Sequence, residues 1–133
     1  GHAGLFSNAS DIGIYCKMLI DGGFYLGNRY FDTNLIDKFT ERQNIVLGSD
    51  RGLIWDTPSQ NGKSSAGDYF SNNSYGHLGF TGTSVWSDPK NEIIVVLLTN
   101  RVYPTRHKPD ISRKMYLFRR NFHNQVMQEI MEF

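Results

Sequence analysis

Residues 75–100 read YGHLGFTGTSVWSDPKNEIIVVLLTN, and the order of residue types in this stretch decides the fold. Ser87-Asp88-Pro89-Lys90-Asn91 is a turn by composition. The run EIIVVLLTN at 92–100 is the strongest strand signal in the chain. Its unbroken apolar character predicts a strand covered on both faces, hence the middle of a sheet sandwiched by helices. Ahead of the turn, Gly76, Gly79 and Gly82 recur at every third residue, a spacing that does not place them on one face of an extended chain. Glycine inside a strand marks a bulge or a place where something approaches the backbone closely. The pattern therefore suits a strand edge kept bare beside a cleft, where a substrate lies against exposed N–H and C=O groups as an added strand would. His77 brings a group that titrates near neutral pH and can move a proton or bind an anion, and Thr81, Thr83 and Ser84 bring hydroxyls. Composition alone leaves a plainer account open, a glycine-rich hairpin with a hydrogen-bonded histidine.

Working outward, RVYPTRHKPD at 101–110 is a loop with two prolines. Beyond Asp110, Ile111, Met115, Phe118, Phe122, Val126 and Ile130 step by three or four, which predicts one amphipathic helix of about five turns packed on the sheet. Toward the N-terminus, residues 57–74 are almost pure loop chemistry. A structureless loop of that length is often functional, and its position before the glycine-rich strand makes it a lid candidate. Within it, Gly62-Lys63-Ser64 imitates the end of a phosphate-binding loop, but Thr57 stands where that motif needs glycine, so nucleotide binding is excluded. RGLIWDT at 51–57 reads as a short strand ended by Pro58. A helix is expected to begin after Asp32 or Thr33, with Leu35, Ile36 and Phe39 apolar. Another is expected over 10–21, capped by Ser10, with Ile12, Tyr15, Cys16 and Leu19 on one face and Gly22-Gly23 as its stop. Neither internal repeats nor a domain boundary are evident.

The bulk numbers fit one modest domain: 133 residues, 39% hydrophobic and 20% charged, with aromatics at 14% to carry much of the core. A formal net charge of +1 argues against a polyanion-binding specialist, so no nucleic-acid partner is expected, and Arg119 and Arg120 read as a solvated helix face. Cys16 is the one cysteine, which excludes an internal disulfide and a cysteine-rich metal site and suits a small buried thiol. His2, His77, His107 and His123 lack the paired spacing of a zinc-binding helix, so no metal is expected. His107 and His123 read as structural or exposed. Asp88, Glu92 and Asp110 are acids that nothing marks as a working pair. No apolar run reaches the length needed to span a membrane, and no G-x-S-x-G elbow occurs. The start, GHAGLFSNAS, has neither the basic nor the apolar region of a signal peptide and no initiator methionine, so the chain is expected to begin in the middle of a longer protein.

Three ordered segments, GHAGLFSNASDIGIYCKMLIDGG, RGLIWDTPS and YGHLGFTGTSVWSDPKNEIIVVLLTNRVYPTR, resemble the C-terminal part of the penicillin-recognising serine hydrolases. That group includes class C β-lactamases, D-amino-acid-specific peptidases, esterases and cell-wall amidases. The resemblance covers nearly the whole chain and is most specific at 75–104, an H-x-G-x-T-G strand followed by a turn, a buried strand and Asn100-Arg101. It implies an α/β (α+β) fold with an antiparallel sheet covered by helices, of which residues 1–133 are a C-terminal fragment holding three adjacent strands and the long helix on one face.

Catalysis in this family uses S-x-x-K, then Y-x-N or S-x-N, then K-T-G or H-x-G, with the first serine as nucleophile. The resemblance places His77 where the lysine of K-T-G stands, to orient substrate and relay a proton. It makes the backbone N–H of Phe80 one of two oxyanion donors, with Leu78, Gly79, Thr81 and Gly82 against the substrate and Gly79 small so that the acyl group reaches that N–H. Leu78 in place of the hydroxyl residue, and histidine in place of lysine, favour the peptidase, esterase and amidase branch over a true β-lactamase. Ser87-Asp88-Pro89-Lys90 spells S-x-x-K in a turn after the third element. Ser59-Gln60-Asn61 and Ser71-Asn72-Asn73 spell S-x-N in the polar loop, and none of the three has the family's placement. The nucleophile, its lysine and the tyrosine are thus expected outside this chain. The implied reaction is hydrolysis of an amide or ester through an acyl-enzyme without cofactor. A cell-wall peptide or muropeptide is the first choice of substrate and a small ester the second, in the bacterial envelope or periplasm. The implied partners are the upstream part of the same protein and, through an unpaired sheet edge, a second copy of the chain. The alternative is a non-catalytic binding or interaction module that keeps the sheet.

Overall fold

Strands β3 (Tyr75–Leu78), β4 (Ser84–Asp88) and β5 (Ile93–Leu97) form the expected antiparallel meander, in the order β3-β4-β5, in a computed structural model that describes residues 5–62 and 64–131. Before it come helix α1 (Ala9–Ile20), a two-stranded hairpin of β1 (Phe24–Tyr25) and β2 (Asn28–Arg29), and helix α2 (Thr33–Thr40). Helix α3 (Ile111–Met131) follows. The architecture is thus mixed, helices with small antiparallel sheets.

Register sorts the side chains onto two faces. Gly76, Trp86 and Val95 stand in one cross-strand row, and His77, Val85 and Val96 in the next. On the first face Trp86, Ile93 and Val95 pack with Ala66, Phe70 and Met127 of α3. On the other, Leu19 of α1 packs with Tyr75 and Ile36. Ile93, Val95 and Leu97 are buried while Ile94 and Val96 are only half-buried. Among the described residues no strand pairs with the outer side of β5, so it is the edge of this sheet and not its middle. The apolar run forecast a strand covered on both faces; here only its alternate residues are fully covered.

Three local readings need correction. The cap of α1 is Asn8, whose Oδ1 accepts from the Asp11 N–H at 3.0 Å, and Ser10 lies inside the helix. The helix stops as expected, with Gly22 and Gly23 at positive φ. Asp32 caps α2 by accepting from the Asn34 N–H at 2.9 Å. RGLIWDT is a tight turn and not a strand. Gly52 donates to the Trp55 carbonyl at 2.8 Å, Leu53 and Ile54 are exposed at its tip, and Asp56 exchanges backbone bonds of 2.8 and 2.9 Å with Gly76 on the outer side of β3.

The third correction concerns α3. Its buried residues are Met115, Arg119, His123 and Met127, at intervals of four, while Phe118 and Ile130 are exposed. Arg119 is 7% exposed and does not belong to a solvated face; Arg120, half-buried, donates to the Gly62 carbonyl and pairs with Asp68. The 57–74 loop is fastened along α3. Asn124 accepts from the Asp68 N–H at 2.7 Å and donates to its carboxylate at 2.8 Å, Gln128 reaches the Tyr69 hydroxyl, and Ala66 and Phe70 enter the core. That anchorage makes the loop a wall of the core rather than a lid. Among the described residues no helix is long and apolar enough to cross a membrane.

Candidate active site

The turn between β3 and β4, residues 79–83, has every carbonyl engaged. Gly79 N–H donates to the Thr83 carbonyl at 2.8 Å and Gly82 N–H to the Gly79 carbonyl at 3.0 Å. From α3, Arg119 donates through Nε to Gly82 and through Nη2 to both Gly79 and Thr83, each at 2.9 Å. From the segment after β5, Arg101 Nε reaches the Phe80 carbonyl at 2.6 Å, while Thr99 Oγ1 and the Arg101 N–H reach that of Thr81 at 3.0 and 2.8 Å. The Phe80 N–H, by contrast, has no acceptor among the described residues. The N–H groups of Thr81 and Thr83 likewise have none, and an ordered turn with engaged carbonyls and open N–H donors is a geometry that can receive an anion.

His77, three residues before Phe80, is exposed, and its Nδ1 lies 2.9 Å from the Leu78 carbonyl. A carbonyl only accepts, so Nδ1 is the donor of this bond, and Nε2 has no partner among the described residues. Because Gly76 spends its groups on Asp56, alternation directs those of Leu78 to the same outer edge of β3. His77, Leu78 and Gly79 line an open cleft of about 540 Å³ whose floor includes Val85 and Val96, and whose far side is the start of α1 at Asn8 and Ile12.

The three glycines have three different reasons. A Cβ on Gly76 would meet the Val85 carbonyl and the Trp86 ring, and one on Gly79 would meet Thr83 Oγ1. Gly82 sits at φ +99° with Thr99 and Met115 against it. Thr81 is exposed at the tip of the turn and Gly82 is buried within it. Phe80 projects its ring into solvent under the Arg101 guanidinium, whose carbon is 5.0 Å from the ring centroid.

Other polar residues serve the framework. Asp88 is buried, which would raise its pKa, but hydrogen bonds from Ser71 and Asn91 outweigh burial and hold it below the usual carboxylate value. Ser87, first residue of the misplaced S-x-x-K, is 1% exposed. His123 is fully buried, with Nδ1 2.7 Å from the Ser65 carbonyl and Nε2 3.4 Å from the Ser84 hydroxyl. Burial, with Arg119 nearby, depresses its pKa against the pull of Ser65. Glu92 and Asp110 sit apart on exposed turns, and His107 is exposed in its loop. His2 and Lys63 lie outside the described residues. The residue that sequence reasoning missed is Arg119. Its position four residues from both Met115 and His123 is the spacing that would have put it on the inner face.

Comparison with known proteins sets this geometry in context. A family model described as "Beta-lactamase" matches residues 1–117. Proteins named "Putative D-alanyl-D-alanine carboxypeptidase" from Salmonella agona (strain SL483) and Salmonella gallinarum (strain 287/91 / NCTC 13346) are each 33% identical over 121 residues, 88% of this chain and 27% of theirs. The one from Salmonella typhi is 32% identical over the same lengths. The chain thus spans 27% of the length of the curated relatives it matches.

Proposed function

This chain belongs to the Beta-lactamase family, and from that premise we propose that it is the C-terminal portion of a serine hydrolase that cleaves an amide or ester through an acyl-enzyme. The observation that carries the reading is the unspent Phe80 N–H, on a turn whose carbonyls are all engaged, three residues after an exposed histidine whose Nε2 has no partner among the described residues.

In this mechanism a serine outside residues 1–133 attacks the substrate carbonyl, and the developing oxyanion accepts from the Phe80 N–H and from the nucleophile's own N–H. A donor in that position lowers the barrier by roughly 3–4 kcal/mol. His77 Nε2 orients the substrate and relays the proton that the nucleophile gives up. The acyl segment lies along the outer edge of β3 at Leu78 and passes the bare Cα of Gly79, Gly82 shapes the turn, and Thr81 borders the leaving side. No cofactor takes part. The missing nucleophile agrees with Ser87 being buried within β4. The outer edge of β5 is where the rest of the parent adds its strands, and in their absence a second copy pairs there.

The relatives' name points to a peptide ending in D-alanyl-D-alanine as substrate, with a small ester second and the bacterial envelope as the place of work. Turnover by the complete parent tests this: a D-alanyl-D-alanine peptide should be cleaved with a larger kcat/KM than the L,L isomer. Equal, negligible rates on both, with rapid cleavage of a short-chain ester, would move the reading to the esterase branch. Absence of turnover on all three would favour a binding module.

A further inference from the structure

We infer that Arg119 is a positioning residue for the acyl-transfer step, acting through the Gly79–Phe80 peptide; this rests on the reading of Phe80 N–H as an oxyanion donor. The Gly79 carbonyl and the Phe80 N–H belong to one peptide unit, and in a trans peptide they point in opposite directions. Arg119 Nη2 holds that carbonyl at 2.9 Å, so it fixes the plane of the unit and turns the Phe80 N–H away from α3. A cation at the carbonyl oxygen also draws electron density from the amide and makes its N–H a stronger donor.

The surroundings make the arrangement specific. Arg119 is 7% exposed, and among the described residues no carboxylate pairs with it; burial, with the nearby Arg101 charge adding to it, lowers its pKa. An unneutralised guanidinium is costly to bury, and here backbone carbonyls alone compensate it. Its fork spans both ends of the turn, Gly79 and Thr83 from one nitrogen and Gly82 from another, which a lysine ammonium does not reproduce. Arg120, the next residue, bonds to Gly62 and Asp68 and touches none of this turn, so it is a natural control.

The test uses the complete parent protein, with Arg119→Met, Arg119→Lys and Arg120→Gln. Two readouts are taken: steady-state hydrolysis, and affinity for an arylboronic acid, whose serine adduct places an oxygen in the oxyanion site. For Arg119→Met we expect kcat to fall roughly 30- to 100-fold with KM within about threefold, and boronate affinity to fall by a similar factor. Arg119→Lys keeps the charge but not the fork and should lose roughly 3- to 10-fold in both readouts. It decides the matter if the methionine variant does not fold. Arg120→Gln should leave both within about twofold. A folded Arg119 variant with unchanged kcat and boronate affinity overturns the inference, as does a loss confined to KM. A wild-type parent that neither turns over nor binds boronate overturns instead the serine-hydrolase reading beneath it.

Discussion

Arg101 holds Phe80 twice, donating from Nε to its carbonyl at 2.6 Å and resting its guanidinium carbon 5.0 Å from the centre of its ring. The carbonyl is thereby unavailable to a substrate amide, while the N–H of the same residue is free. Arg101→Ala in the complete parent releases that carbonyl and loosens the tip of the turn. We predict a fall in kcat/KM of roughly 10-fold, with Arg101→Lys recovering little because an ammonium neither forks nor stacks as a guanidinium does. Full activity in both variants would mean that the tip is rigid without this clasp.

His77 is exposed and its one bond is to a neighbouring carbonyl, so folding draws little from it. Its replacement by alanine should lower kcat of the parent by roughly 10²-fold and leave the melting temperature nearly unchanged. Thermal melting and steady-state kinetics on the same preparation separate the two effects. A variant that melts early but turns over normally would assign His77 to structure.

Gly79→Ala is forecast to disturb the turn by contact rather than by backbone strain, since the added methyl would run into Thr83 Oγ1. A cost of about 1–3 kcal/mol is expected for such overpacking. Combined with Thr83→Ala, which removes the obstructing atom, most of it should return. Denaturant midpoints for the two single variants and the double one give the coupling directly. Strictly additive effects would show that the collision is not the cause.

Stability of this chain should fall on mild acidification because of His123. Its folded pKa lies below the ordinary 6.5, with burial as the main cause and the Arg119 charge adding to it. The unfolded chain therefore binds the proton first. The stabilisation is complete above pH 6.5 and is lost as pH drops through that value toward the folded pKa. The slope for one such group is at most about 1.4 kcal/mol per pH unit. Asp88, whose folded pKa is lowered, acts in a separate window below its ordinary 3.8. Urea midpoints from pH 8 to 5 should decline for the wild type and stay flatter in His123→Gln. Parallel declines would place the titration elsewhere.

What was legible in the sequence was whatever depended on local chemistry. Turn residues at 87–91 and the apolar run after them predicted the turn and β5, the family resemblance implied three adjacent antiparallel strands, and Asp32 announced α2. Readings failed where two local signals competed or where a distant partner settled the choice. Ser10 and Asn8 are both good caps, and the helix took the earlier one. RGLIWDT has strand-like residues, but Gly52 to Trp55 closes a turn that lets Asp56 pair with Gly76. Arg119 was assigned to solvent because its acceptors, the carbonyls of Gly79, Gly82 and Thr83, lie 36 to 40 residues earlier in the chain. The H-x-G stretch was legible as chemistry, while the engagement of every carbonyl in its turn, which leaves N–H groups such as that of Phe80 as the open positions, required the fold.

The central claim is that these residues carry an oxyanion wall whose nucleophile lies elsewhere in the parent. Intact mass after incubation with a serine-reactive fluorophosphonate tests it most directly, on this chain and on the complete parent side by side. The account predicts no added mass on residues 1–133 alone, and one stoichiometric adduct on the parent at a serine preceding them. An adduct on a serine within this chain would contradict it.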